Sequence, residues 1–473
     1  MESKALFFSS FFFFLLLAAS SLPAGFAGGG SGGGGSDSEV LLKDADLIDE
    51  LPNQPEGVEF RQYSGYIVAE PVVNRRYFYY FVEADDIRPV SKPLMIYISS
   101  QKIDGPGSSL LSCFQQVGPY HVEDDGQTLI PNPYSWNKFA NILFVDGPTG
   151  VGFAFSDDYN KDMYGSQEYW IISEMYHFIL EWMKRFPEYK NSDVYIAGQT
   201  YIGKIGPALA TYILYKNSVP GNPRVNIEGV LLGNPRMDED LEFITKFEST
   251  FRMNLISEEI NYGRRTHCDL RHYDFFKCWE PTGKAQYSLL CLYPNNVYQQ
   301  MCPNINMDRV GLDNFKYMVY DCVDQNVAGY LNIPFVQTMM HAEKSTPWGP
   351  TVWMPYSWYL RVLKNITSSI PYMKAAMTGG VRILIYSGVQ DEEVIIPNLT
   401  VIKCMNLTIS SEWRPWFDNN VQVAGFTESY VGGLTFATVR GSGLLVMADQ
   451  PKRGFIIAKS FITNSSLPFS KIA

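Results

Sequence analysis

Residues 194–214, VYIAGQTYIGKIGPALATYIL, constrain the fold of this chain more than any other stretch. The apolar run Val194 to Ala197 stops at Gly198. A tight turn, Gly198-Gln199-Thr200-Tyr201-Ile202-Gly203, follows, and a segment with helical spacing begins at once. A buried strand that passes through a sharp turn into a helix lifts one side chain above the edge of a sheet. Thr200 occupies the tip of that turn. Its hydroxyl is the functional group of a nucleophile, but its extra methyl crowds the turn and stiffens the side chain.

The surrounding pattern predicts an α/β fold. GYIVAE and YFYYFVEA read as an antiparallel pair of strands. PLMIYIS, NILFVDG, VYIAG and GVLLGNP are short apolar runs that read as buried strands. Between them lie helical stretches such as Gln167 to Phe186, where Trp170, Ile171, Glu174, Met175, Phe178 and Trp182 recur at helical spacing. Alternation of this kind implies a mostly parallel sheet covered by helices on both faces. Residues 238–345 interrupt it with charged, Cys-rich, helix-prone sequence, read as a mainly helical lid insertion. Strand pattern returns at VRILIYSG (381–388) and LTFATVRGSG (434–443).

Composition sets the class of partner. A 473-residue chain with 46% apolar and 18% charged residues has ample core. A net charge of −11 with no basic run argues against nucleic acid. Lys4, the apolar run Leu6 to Leu17 and Gly25-Phe26-Ala27 read as a signal peptide over residues 1–27. The run is shorter than the ~20 residues a spanning helix needs, and no later segment is long and apolar enough, so no membrane association is expected after cleavage. Residues 28–36, GGGSGGGGS, read as a flexible linker, leaving 37–473 as the folded domain. Seven cysteines suggest disulfides with at least one thiol left over, and five of them (Cys268, Cys278, Cys291, Cys302, Cys322) crowd the insertion, which should be stapled. No pair has Cys-x-x-Cys spacing, so neither metal nor cofactor is expected. Sequons at Asn365, Asn398, Asn406 and Asn464 fit a secreted or vacuolar glycoprotein.

Six ordered blocks together resemble the serine carboxypeptidases of the plant and fungal secretory pathway: PNPYSWNKFANILFVDGPTGVGFAFSDD (131–158), RFPEYKNSDVYIAGQTYIG, GVLLGNP (229–235), YLNIPFVQTMMHAE (330–343), VRILIYSGVQD (381–391) and LTFATVRGSG. The resemblance spans about residues 50–470. It implies an α/β-hydrolase fold with a helical insertion, and an ancestral activity of releasing C-terminal residues from peptides. Some plant members instead transfer acyl groups, and related members often dimerise. A peptide or acyl-ester ligand is therefore expected, and a dimer is an option.

Acyl transfer needs a hydroxyl, an imidazole to take its proton and a carboxylate to hold the imidazole. By resemblance, Thr200 stands at the nucleophile position (GQTYIG for GESYAG) and Asp391 at the acid position. Leu444 stands where the histidine should follow TVRGxx. No histidine occurs after His341, so no neighbour substitutes easily. His341 is expected in a packed or capping role, and His121, His177, His267 and His272 as ordinary surface or core residues. The family's oxyanion loop, NGGPGCSS, is altered and longer here, with Gly105 in its glycine stretch and the N–H of Tyr201 as the second donor. Gln199 replaces a glutamate that binds the substrate's terminal carboxylate. The positions of a family disulfide correspond to Ser108 and Tyr356, both lost, which leaves Cys113 as a candidate free thiol. Within the insertion we expect Cys268 with Cys278 and Cys302 with Cys322. A buried, ionised Asp391 without an imidazole is costly, so it should be solvated, paired with a cation such as Arg440, or protonated. These residues point to a chain with impaired catalysis. The alternatives are an active carboxypeptidase or acyltransferase that uses Thr200 and Asp391 with an unidentified base, and a decayed variant kept only for folding.

Overall fold

The computed structural model describes residues 42–469 apart from 73, 99–106, 158–167, 269–274, 290–291, 294, 301–321, 344–347, 350–365, 392–394 and 419–421. The signal peptide, the linker, Gly105, Tyr356 and Asn365 thus lie outside the described residues.

The sheet is built on its apolar runs. PLMIYIS becomes β4 (Leu94–Tyr97), NILFVDG β7 (Asn141–Asp146), VYIAG β8 (Val194–Gln199) and GVLLGNP β9 (Ile227–Gly233), while VRILIYSG becomes β10 (Arg382–Gly388) and LTFATV β13 (Leu434–Val439). These six lie side by side and parallel in the order β7-β4-β8-β9-β10-β13. Burial on both faces explains why their sequences are continuous apolar runs and do not alternate. On one flank come the antiparallel β1 (Leu47–Ile48), β2 (Gln62–Glu70) and β3 (Arg75–Val82). On the other are β12 (Val423–Tyr430) and the edge strand β11 (Ile409–Phe417), a hairpin the sequence pattern did not reveal. A separate pair, β5 (Tyr120–Val122) and β6 (Leu129–Pro131), lies apart.

Helix α1 (Glu168–Arg185) covers one face, with an acidic first turn and a basic last turn that suit its dipole. Trp182 stacks on Phe186 at 4.6 Å and meets Phe81 edge-on at 4.9 Å; such pairs add about 0.5–1.5 kcal/mol each beyond buried area. Helix α2 (Ile202–Ser218) packs beside it.

The insertion is mainly helical as expected, with α3 (Glu239–Arg252), α4 (Glu258–His267), α5 (Phe275–Leu289), α6 (Cys322–Leu331) and α7 (Pro334–Met339) among the described residues. Asp238 and Ser257 cap α3 and α4 through their side chains. The Cys268–Cys278 bridge is present and ties α4 to α5. The expected Cys302–Cys322 pairing, like Cys291, lies outside the described side chains. Cys113 is buried and free, and Cys404 is a second free thiol, exposed.

The described sequons differ in exposure. Asn398, in the helix α9 that follows α8 (Ile370–Thr378) and runs Ile395–Cys404, is fully buried, and its Nδ2 donates to Ser387 Oγ at 3.0 Å. In this conformation the Asn398 amide has no room for a glycan. Asn406 and Asn464 are exposed.

Candidate active site

The turn after β8 has the geometry its sequence predicts. Thr200 adopts φ +49°, a left-handed conformation that is rare for a β-branched residue and costs about 1–3 kcal/mol. Three backbone bonds hold it there. Its N–H donates to Gly233 O at 2.9 Å, and its carbonyl accepts from Gly203 N at 3.0 Å and Arg236 N at 2.9 Å. Two glycines are required by space: a Cβ on Gly198 would sit 1.9 Å from Ile98 O, and one on Gly203 2.2 Å from Arg236 O. Tyr201 follows as the N-cap of α2, so its N–H lies at a helix N-terminus, the favourable end for an oxyanion. The other expected donor region, at Gly105, is outside the described residues.

The strand ends are stitched together in order. Gly233 accepts from Thr200, and its neighbour Asn234 donates its N–H to Tyr386 O on β10. Asn234, also left-handed at φ +41°, donates Nδ2–H to Asp391 Oδ2 at 2.8 Å and accepts Gly388 N at 3.2 Å. Gln390 N donates to Ser442 O after β13. The carboxyl ends of β8, β9, β10 and β13 therefore bring the Thr200, Asp391 and Leu444 loops to one edge, where open α/β sheets place their sites.

Asp391 is buried (2% exposed) and bonded to Asn234. The solvated alternative is thus overturned. So is the pairing with Arg440, which is exposed and donates Nη1–H to Val423 O. Asn234 was missed from the sequence; its only trace there is an Asn-Pro that ends an apolar run.

Leu444 is also buried (1% exposed), and what covers its loop comes from the insertion. Leu444 N donates to Asn295 O at 2.6 Å, and Gln390 O accepts Val297 N at 3.3 Å. Asp449 accepts both Gly443 N (2.7 Å) and Asn296 Nδ2 (2.9 Å). A Cβ on Gly443 would lie 1.8 Å from Asn295 O, so the strap needs glycine there. Residues 295–297 thus lie across both the Asp391 loop and the Leu444 loop.

Gln199 faces a second residue that sequence reasoning missed. Its Nε2 donates to Gln116 Oε1 at 2.6 Å, and Gln116 Nε2 points back at Gln199 Oε1 at 3.3 Å. Both amides are buried. This reciprocal pair has no ionisable proton.

At the end of β7, Asp146 accepts Ser108 Oγ (2.8 Å), Ser109 N (2.9 Å) and Ser109 Oγ (3.2 Å). Complete burial pushes its carboxyl up to about 6 against these hydrogen bonds, which act in the opposite direction. Ser108 therefore belongs to a buried polar knot.

Four of the five histidines fall among the described residues. His341 Nδ1 lies 3.0 Å from Ser64 O; His177 is 4.0 Å from Glu181 on the same helix; His121 is lowered in pKa by desolvation; His267 ends α4; His272 is outside the described residues. No metal-binding group of His, Cys, Asp and Glu occurs among the described residues. A cavity of about 510 Å³ beside Pro93 and Asp193 lies at the opposite ends of β4 and β8, away from Thr200.

The serine carboxypeptidase family model matches residues 52–464. Serine carboxypeptidase-like 36 of Arabidopsis thaliana is 39% identical over 446 residues, covering 90% of this chain and 87% of that protein. Serine carboxypeptidase-like 38 of the same plant is 38% identical over 450 residues, with 90% and 88% covered. A solved structure of the Saccharomyces cerevisiae prohormone-processing carboxypeptidase KEX1(ΔP) superposes with a TM-score of 0.75 over 89% of this chain and 96% of that one. At 18% identity, that likeness speaks for the fold alone. With most of its length matched and its strand exits arranged around Thr200, Asp391 and Leu444, the chain belongs to the serine carboxypeptidase family.

Proposed function

We propose that this member has lost peptidase turnover and keeps its pocket region for binding a peptide or acyl ester, or as a scaffold. The observation that carries the reading is Leu444, buried at the histidine position with its N–H held by Asn295. A leucine neither accepts nor returns a proton. Loss of the histidine or the serine of such a triad costs on the order of a million-fold in turnover, and the two losses overlap because the residues act as one unit. The neutral Gln116–Gln199 pair supports the same reading: an uncharged pair recognises a terminal carboxylate, if at all, without an acidic-pH requirement. We further propose entry into the secretory pathway through residues 1–27, with Asn406 and Asn464 as exposed glycan acceptors.

The competing reading, an active enzyme with an unidentified base, requires a proton acceptor close to Thr200. The nearest basic residue along the chain, Lys204, has its Nζ engaged by Glu239 and by Glu168. Labelling with a fluorophosphonate and hydrolysis of blocked dipeptides from pH 4 to 8 test the proposal. Wild type should be silent. Labelling of wild type that disappears in Thr200→Ala overturns the proposal.

A further inference from the structure

We propose that the cleft between the exits of β10 and β13 binds a small oxyanion, a carboxylate or a phosphate group. The cleft has a volume of about 560 Å³, and Gln390, Arg440, Gly441, Gln450 and Arg453 line it.

Arg453, in the first turn of α10 (Pro451–Ile462), is 92% buried and held in place from two sides. Its Nε donates to Asp418 Oδ2 at 2.8 Å and its Nη1 to Arg440 O at 2.6 Å. A guanidinium fixed in this way is pre-organised to offer its remaining donors. Arg440 comes from the other wall. It is exposed and forms no ion pair among the described residues, in a chain whose net charge is −11.

The floor is open because Gly441 has no side chain: at φ +76°, a Cβ there would come 2.8 Å from Gln450 Nε2. Gln450 precedes α10 and donates that Nε2–H to Gly441 O at 3.0 Å. The positive end of the α10 dipole adds to the two guanidiniums, since Gln450 and Arg453 both line the cleft.

Among the described residues that line the cleft only Arg440 and Arg453 are charged, and Asp418 matches Arg453. Asp449 keeps its charge but lies outside the lining, where Gly443 N and Asn296 Nδ2 donate to it. The guanidinium of Arg440 is the unmatched charge of the lining, which suits a monoanion. Gln390 immediately precedes Asp391, and Gly441 lies three residues before Leu444. A bound oxyanion would bridge the two loops that bring Asp391 and Leu444 to the site.

The test is calorimetric titration of the full chain with inorganic phosphate and, separately, with acetate, at constant ionic strength. Wild type should show saturable binding of at least one. Arg440→Glu should weaken it by at least about tenfold, the equivalent of one charge-assisted contact, while Arg440→Lys keeps most of it and circular dichroism stays unchanged. Gln450→Glu, which puts a like charge in the cleft, should act in the same direction. Binding of phosphate alone marks a phosphomonoester head group, binding of acetate alone a carboxylate, and binding of both a general oxyanion site. No saturable binding of either probe in the millimolar range, or binding unchanged in Arg440→Glu, overturns the proposal.

Discussion

The turn after β8 and the loop after β13 end parallel strands of one sheet, yet they are fixed in different ways. The first keeps its backbone: Gly198 and Gly203 allow close approaches, and three main-chain hydrogen bonds hold Thr200 in a left-handed conformation. The second is a seat, with Gly443 and Leu444 packed under Asn295 and Asn296 of the insertion. The packing of a strand into a helix enforces the geometry of the turn whether or not a hydroxyl is used there. Nothing in the fold requires an imidazole at residue 444. Backbone architecture is maintained by stability, side-chain chemistry only by the reaction.

The largest effect that tests this contrast is on activity. Thr200→Ser and Leu444→His, each alone, should stay near the wild-type baseline. Together they should raise fluorophosphonate labelling by about a thousandfold or more, because triad members act as a unit. A folded but silent double variant would place the defect in the oxyanion loop as well.

Next come two glycine-to-alanine exchanges that ought to differ in kind. Gly198→Ala drives a methyl into the main chain of β4's exit at Ile98, and should cost about 3 kcal/mol or more in denaturant unfolding. Gly443→Ala meets the main chain of Asn295, which is outside the sheet and is expected to lift. The cost should be about 1–2 kcal/mol, the worth of the bonds released, with faster amide exchange confined to residues 293–299. Equal losses from both would erase the distinction drawn here.

A comparable effect depends on pH. Asp146 is raised from the ordinary 3.8 to about 6 in the folded chain, so the native state holds this proton more tightly than the unfolded one. Its contribution, about 3 kcal/mol, is fully present below about pH 4 and is lost as the pH rises through about 6. Unfolding free energies measured across pH 4–7 should fall over that window, and Asp146→Asn should remove that part of the slope.

The six parallel strands and the helices between them were legible because continuous apolar runs and helical spacing are local signals. The β11–β12 hairpin was not: ISSEWRPWF carries charges and a proline, and its burial is partial along much of the strand. At the site, Thr200, Asp391 and Leu444 could be placed from motifs, each within a few residues of a strand end. Their partners could not. Gln116 meets Gln199 across 83 positions, Asn234 meets Asp391 across 157, and Asn295 reaches Leu444 through a fold in which the insertion turns back on the sheet. Such pairings are set by topology, and a one-dimensional pattern does not contain them.

The burial of Asn398 has a consequence in time. Asn-Leu-Thr is a valid acceptor triplet in an extended chain, and a polypeptide threaded into an oxidising lumen meets the oligosaccharide-transferring enzyme before its carboxyl-terminal third has collapsed. A sugar attached at that moment would be too bulky for the seat against Ser387, and α9 would be left undocked. If the chain enters the secretory pathway as proposed, folding of this segment races with its own modification, and a mature molecule with bare Asn398 would be one in which folding won.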